Sequence, residues 1–202
     1  MSQLSFPELE AAAGSVIGIL QTMPEFSSAK IAVIGGLGLW KYLRTYRTTE
    51  DVDFLITVQG APQAVKDKLL AMPSSPFQQQ AQLFVYKSSN GKSIQIDITP
   101  DWQSPYVPSA ALPVSAVRRN ALPYISELDL LVFKINSCGL RPTAGKKIRD
   151  ANDAVEVTEH LSSKGPIVLS SFQKNAVLQG LNDAIQLSGH DRAWWMAKLG
   201  LK

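Results

Sequence analysis

The order of elements along the 202-residue chain predicts an α+β protein, with a strand-rich first half and a helical second half. Three observations carry that expectation. Short apolar runs at 31–34 and 54–56 flank a glycine-marked turn and a mixed segment. The stretch 93–99, Ser-Ile-Gln-Ile-Asp-Ile-Thr, alternates strictly, putting Ile94, Ile96 and Ile98 on one face and Gln95 and Asp97 on the other. Beyond residue 125 the period-2 pattern vanishes and helical periodicity replaces it. The expected division is an α/β core over 1–112 and a helical region over 113–202 packed on it.

The elements follow in order. Phe6-Pro7-Glu8 suits a helix start, and Leu9, Ala12, Ala13, Val16, Ile17 and Leu20 form its apolar stripe. Residues 30–34 read as a buried strand, and Gly35-Gly36 as a tight turn into a helix over 37–46. Gly38 inside that helix points to close packing or close approach of a ligand. Residues 51–58 make a second strand, 61–72 a helix opened by Pro62, and 83–86 a third strand. Asn90-Gly91 is a hairpin signature leading into 93–99. A proline-rich irregular segment spans 100–113, and helices are expected over 125–139, 146–161, 170–187 and 190–199.

Composition narrows the chemistry. An apolar fraction of 45% and a charged fraction of 18% describe a globular chain with a core of its own. A net charge of +3 suits an anionic ligand such as a nucleotide but is too small to argue for nucleic acid by itself. The one cysteine, Cys138, excludes an internal disulfide framework and a thiolate zinc cluster; two histidines disfavour an imidazole metal site. Any metal is expected to have oxygen ligands. The N-terminus has no basic segment before its apolar stretch, and no apolar run approaches a membrane span of about 18 residues. A cytoplasmic, reduced location with no membrane partner is therefore the expectation.

The chemistry-bearing residues sit around the first two strands. Asp51 and Asp53 share a strand face, and two adjacent carboxylates stay ionised at a cost that a hard divalent cation removes. Mg²⁺ or Mn²⁺ is the expected cofactor. If strand 93–99 lies beside strand 51–58, Asp97 joins them, able to hold metal and to take a proton from an attacking hydroxyl. A helix starting after Gly35-Gly36 offers backbone N–H groups and its dipole to a phosphate. Carboxylates facing such a helix start suit phosphoryl or nucleotidyl transfer.

These residues resemble the nucleotidyltransferases of the DNA polymerase β type: a Gly-Gly or Gly-Ser turn, an Asp-x-Asp pair, then a later Asp on a neighbouring strand. Arg47-x-Thr49-x-Asp51-x-Asp53 is similar to the form found in minimal nucleotidyltransferases, including toxins of abortive-infection systems. In the second half, Lys134-x6-Arg141 and Arg149-Asp150-x-x-Asp153 are similar to motifs of those same toxins. The resemblance implies a small mixed nucleotidyltransferase sheet with flanking helices, followed by a C-terminal helical bundle. It implies Asp51, Asp53 and Asp97 as catalytic metal ligands, and Gly35, Gly36, Arg47, Thr49, Lys134 and Arg141 as contacts to a nucleoside triphosphate. Lys134 and Arg141, two helical turns apart, would reach the triphosphate from one face, with Asp150 and Asp153 holding them in place. Position 36 is glycine, so backbone N–H groups would serve where relatives use a serine hydroxyl. The acceptor is left open between an RNA end such as tRNA, a protein hydroxyl and a small molecule.

Two other readings compete. A degenerate nucleotidyltransferase fold could act as a binding or regulatory module. Alternatively, residues 33–38 could be a dinucleotide-binding turn of an oxidoreductase, although position 41 is Lys where a third glycine belongs. Asp51 and Asp53 also open their strand rather than closing it.

Overall fold

The computed structural model describes residues 3–58 and 62–201. The chain forms two compact units, Met1–Ile125 and Ser126–Lys202. Segment 113–125 therefore lies with the sheet: Val33 bridges to Tyr124, donates its N–H to the Pro123 carbonyl and accepts from the Ile125 N–H.

In the first unit, helix α1 (Phe6–Gln21) is closed at its start by a capping box of Ser5 and Glu8. Strand β1 (Lys30–Ile34) runs directly into helix α2 (Gly35–Tyr42). Then come β2 (Asp51–Ile56), α3 (Pro62–Leu70), β3 (Phe77–Gln80), β4 (Leu83–Lys87), β5 (Ser93–Pro100) and the two-residue β6 (Leu112–Pro113). The six strands make one mixed sheet in the order β3-β4-β5-β2-β1-β6. Neighbouring strands are antiparallel except for β2 and β5, which run parallel.

The two faces follow from the period of two. Val52, Phe54 and Ile56 share a face with Ile94 and Ile96, and α1 and α3 cover it with Leu9, Ala13, Val16, Ile17, Val65 and Leu69. Burying a Leu, Ile or Phe side chain is worth about 1.5–3 kcal/mol, so this face fixes the register of the whole sheet. Slipping β5 by one residue would send Asp97 into that core. The opposite face carries Asp51, Asp53, Gln95 and Asp97.

Several local expectations need correction. Helix 37–46 begins two residues earlier, at Gly35, and stops at Tyr42, where Leu43 leaves helical geometry. Past that point the chain turns back, and the Arg44 guanidinium lies 3.8 Å from the centre of the Phe6 ring. The second strand ends at Ile56 rather than at 58. Strand β3 was not expected, because three glutamines in an edge strand carry no β signature. Gly38 is explained by packing, since a Cβ there would meet Ile125 Cγ2 at 3.2 Å. Helix 61–72 is α3; Ala61 lies outside the described residues.

The second unit contains α4 (Glu127–Cys138), α5 (Ala144–Lys164), α6 (Ser171–Ser188) and α7 (Arg192–Leu199). Ser126, Thr143, Ser170 and Asp191 cap their N-termini by accepting backbone N–H bonds, and Gly189 and Gly200 close α6 and α7 in the left-handed conformation. Helix α4 packs on α5 and α6, and Leu131, Ile135, Ala154, Val177 and Leu181 of these helices are buried. Of the adjacent tryptophans, Trp195 is core and donates its indole N–H to Ser188 at 3.2 Å, while the half-buried Trp194 stacks on His190. Cys138 is buried, and loss of solvent, with the Asp183 carboxylate nearby, pushes its thiol up to about 11. Among the described residues no helix is long and apolar enough to cross a membrane.

Candidate functional site

The parallel pairing of β2 and β5 builds the site. Its register sets Asp53 opposite Asp97 and Asp51 opposite Gln95. Because residues two apart share a face, all three carboxylates project from the same side of two adjacent strands. One oxygen from each of Asp51, Asp53 and Asp97 lies within 4.8 Å of the others, and each side chain is partly exposed. Carboxylate oxygens gathered this closely suit a hard cation, and an all-carboxylate donor set fits Mg²⁺ or Mn²⁺ better than softer metals. The residues present therefore fit such an ion.

Each carboxylate is held by a neutral donor. The Thr49 hydroxyl donates to Asp51 Oδ1. The Gly36 backbone N–H donates to Asp53 Oδ2 at 3.2 Å. The Gln95 amide donates to Asp97 Oδ2 at 2.9 Å. Asp53 thus occupies the N-terminal end of α2, where the macrodipole favours negative charge and where Ile34 supplies no side-chain cap.

The glycine pair makes this approach feasible. Gly35 has φ +64°, a left-handed conformation that side chains resist, and a Cβ there would overlap the Asp53 carboxylate. A Cβ on Gly36 would lie 2.5 Å from Thr49 Oγ1. The turn so reverses β1 into α2 without a loop and brings the helix start against both acids' supports. The Gly36 N–H, expected to face a phosphate, is directed at Asp53 in this state.

The remaining expected residues fall into two groups. Thr49 is buried at 9% exposure and serves Asp51 directly. Arg47 is half-buried and donates to the Thr48 carbonyl at 3.1 Å. In the second unit, Lys134 and Arg141 do not share a helix: α4 stops at Cys138, and Arg141 lies between α4 and α5. They converge instead through the acids. Lys134 is 4% exposed and pairs with Asp150 at 2.5 Å and Asp153 at 2.7 Å, while Arg141 pairs with the second oxygen of Asp150. Burial opposes charge on Asp150, but Lys134 and Arg141 outweigh it and hold its carboxyl below the usual range. The sequence had not singled out Gln95 beyond its face. Its signal was spacing: it stands two residues before Asp97, as Thr49 stands before Asp51.

The two-unit order, the mixed sheet and the acidic cluster on adjacent parallel strands define a nucleotidyltransferase-type fold. Over its full length the chain is similar to the crystal structure of an antigenic nucleotidyltransferase-like protein from Paracoccidioides brasiliensis, with a TM-score of 0.65. The identity is 18%, and the match covers 100% of this chain and 96% of that one, so the likeness establishes the fold alone. The structure of the Bradyrhizobium diazoefficiens CD-NTase CdnG in complex with GTP aligns over 98% of this chain and 92% of that one. Its TM-score of 0.33 and identity of 11% carry no argument. No family model and no curated protein sequence matches the chain.

Proposed function

We propose that the protein is a Mg²⁺-dependent nucleotidyltransferase that moves a nucleoside monophosphate from a nucleoside triphosphate to an acceptor hydroxyl. One observation carries the reading: Asp51, Asp53 and Asp97 present their oxygens within 4.8 Å of one another beside the start of a helix. A divalent cation held by these carboxylates supplies charge neutralisation for the triphosphate and for the oxygens that gain charge during transfer. Asp97 takes the proton from the acceptor hydroxyl as its oxygen bonds to the α-phosphorus. The bond from the α-phosphorus to the bridging oxygen breaks, and pyrophosphate leaves with those electrons. Gly35, Gly36, Arg47 and Thr49 would meet the triphosphate beside the acids. Positioning and electrostatics do most of the work in such a reaction.

The second reading is a nucleotidyltransferase fold that binds without turnover. One observation favours it: the Gly36 N–H is engaged by Asp53 rather than left for a phosphate. The dinucleotide-binding reading requires parallel strands around its glycine turn, and β1 and β2 are antiparallel.

The test is pyrophosphate release from each labelled triphosphate with Mg²⁺, alone and with cell extract as a source of RNA, protein and small-molecule acceptors. Wild type is expected to release pyrophosphate and transfer label, and Asp53→Asn to abolish both while keeping the folded spectrum. Release that persists in the variant would overturn the catalytic reading. Metal-dependent triphosphate binding by calorimetry without any release would support the binding module.

A further inference from the structure

Asp51 and Asp97 are each held by a neutral side-chain donor, and one of the holding residues has no place in the motifs. The Thr49 and Gln95 donors each stand two residues before their acid, Thr49 in the segment leading into β2 and Gln95 within β5. Successive same-face residues in a strand are about 6.6 Å apart, so a side-chain donor there bends along the strand to reach the carboxylate. Gln95 is also in register with Asp51 on the neighbouring strand, so its amide stands in the row of acids itself. Among the described residues Asp97 has no other hydrogen-bond donor, and its Oδ1 is left unengaged.

We propose that Gln95 is a positioning residue for cation binding: its amide fixes one oxygen of Asp97 so that the other faces the metal with its full charge. The chemistry at position 95 has to meet two demands. A flexible Asp97 loses rotamer freedom when it ligates, and a donor that pre-sets the carboxylate removes that cost. A lysine or arginine would set it equally well but would cancel a charge and compete with the cation, as Lys134 does at Asp150. A carboxylate would add charge but could donate nothing. An amide of glutamine length satisfies both demands. Thr49 answers the same demands at Asp51 with a hydroxyl, and Gly36 at Asp53 with a backbone N–H. The inference rests on the nucleotidyltransferase reading only in taking Asp97 as a ligand.

The experiment is Mn²⁺ binding to the full chain without nucleotide, followed by water-proton relaxation, in wild type, Gln95→Met and Gln95→Thr. The methionine keeps side-chain length and removes the donor, and is expected to weaken Mn²⁺ about 10- to 100-fold, the range for loss of an outer-shell partner. The threonine keeps a neutral hydroxyl donor on a shorter side chain, and is expected to restore part of the affinity. A merely structural glutamine predicts equal affinity in all three proteins, and that result would overturn the inference. Should the methionine variant not fold, Gln95→Val, β-branched and at home in a strand, replaces it with the same expectation. If wild type itself binds no Mn²⁺, the metal-dependent function fails; if wild type binds and the methionine variant binds as well, only the role of Gln95 fails.

Discussion

Two charged clusters, one in each unit, are built from the same residue type to opposite effect. In the first unit Asp51, Asp53 and Asp97 are partly exposed and supported by a hydroxyl, a backbone N–H and an amide. In the second, Asp150 and Asp153 are buried, and Lys134 and Arg141 answer their charge. At Asp51 and Asp97 neutral side-chain donors orient the carboxylate and leave its charge for something that comes from outside. Paired cations consume that charge within the fold. The first cluster is thus open to a ligand cation, and the second is closed on itself and ties α4 to the first turns of α5.

The largest expected effect comes from breaking the closed cluster. Lys134→Met removes the cation shared by two buried carboxylates, and removing one partner of a buried ion pair costs about 3–5 kcal/mol. Denaturant unfolding should show that loss. If stability barely changes, the cluster is not the internal tie described, and the availability of Lys134 to a ligand must be reconsidered. By contrast Asp97→Asn, in the open cluster, relieves repulsion and should leave stability unchanged or raised while Mn²⁺ binding falls.

An intermediate effect is expected where the open cluster meets the glycine turn. Gly36→Ala places a methyl 2.5 Å from Thr49 Oγ1, and crowding of that kind costs about 1–3 kcal/mol. Because Thr49 holds Asp51, the same variant should also weaken Mn²⁺. A stability loss with unchanged Mn²⁺ affinity would separate Thr49 from the site.

The smallest effect is a pH dependence of the closed cluster. The folded Asp150 carboxyl sits below its ordinary value of 3.8, burial being outweighed by Lys134 and Arg141. A lowered folded pKa contributes stability that is fully present above the unfolded value and lost as pH falls through the folded one. Urea midpoints should therefore fall as pH drops below 3.8, and less steeply in Asp150→Asn. Equal slopes in both proteins would show that Asp150 does not carry the linkage.

Much of this contrast was legible in the sequence, and the reasons are specific. Strict alternation at β5 put Asp97 on the polar face before any neighbour was known, so its meeting with Asp53 needed only the β2–β5 pairing. The helices of the second unit announced themselves through the helical periodicity beyond residue 125. What escaped depends on contacts between distant residues. Asp150 and Asp153 were expected to hold Lys134, but nothing in its spacing said that it would be buried between them, because a lysine on a helix is ordinarily solvated. Glutamines at β3 gave no period to read, since an edge strand borrows its conformation from its neighbour. The end of α2 was misjudged because the residues beyond Tyr42 are ordinary helix formers, and contact with Phe6 draws Arg44 away.

The parallel neighbours β2 and β5 are separated along the chain by α3 and the whole β3–β4 hairpin. No local segment therefore contains the acid cluster. A parallel pairing across that span closes a long loop, the kind of contact that forms late because its entropy must be spent before its bonds are made. A chain emerging from the ribosome would carry Asp51 and Asp53 well before Asp97 could stand beside them. The three charges are brought together in the same event that completes the sheet.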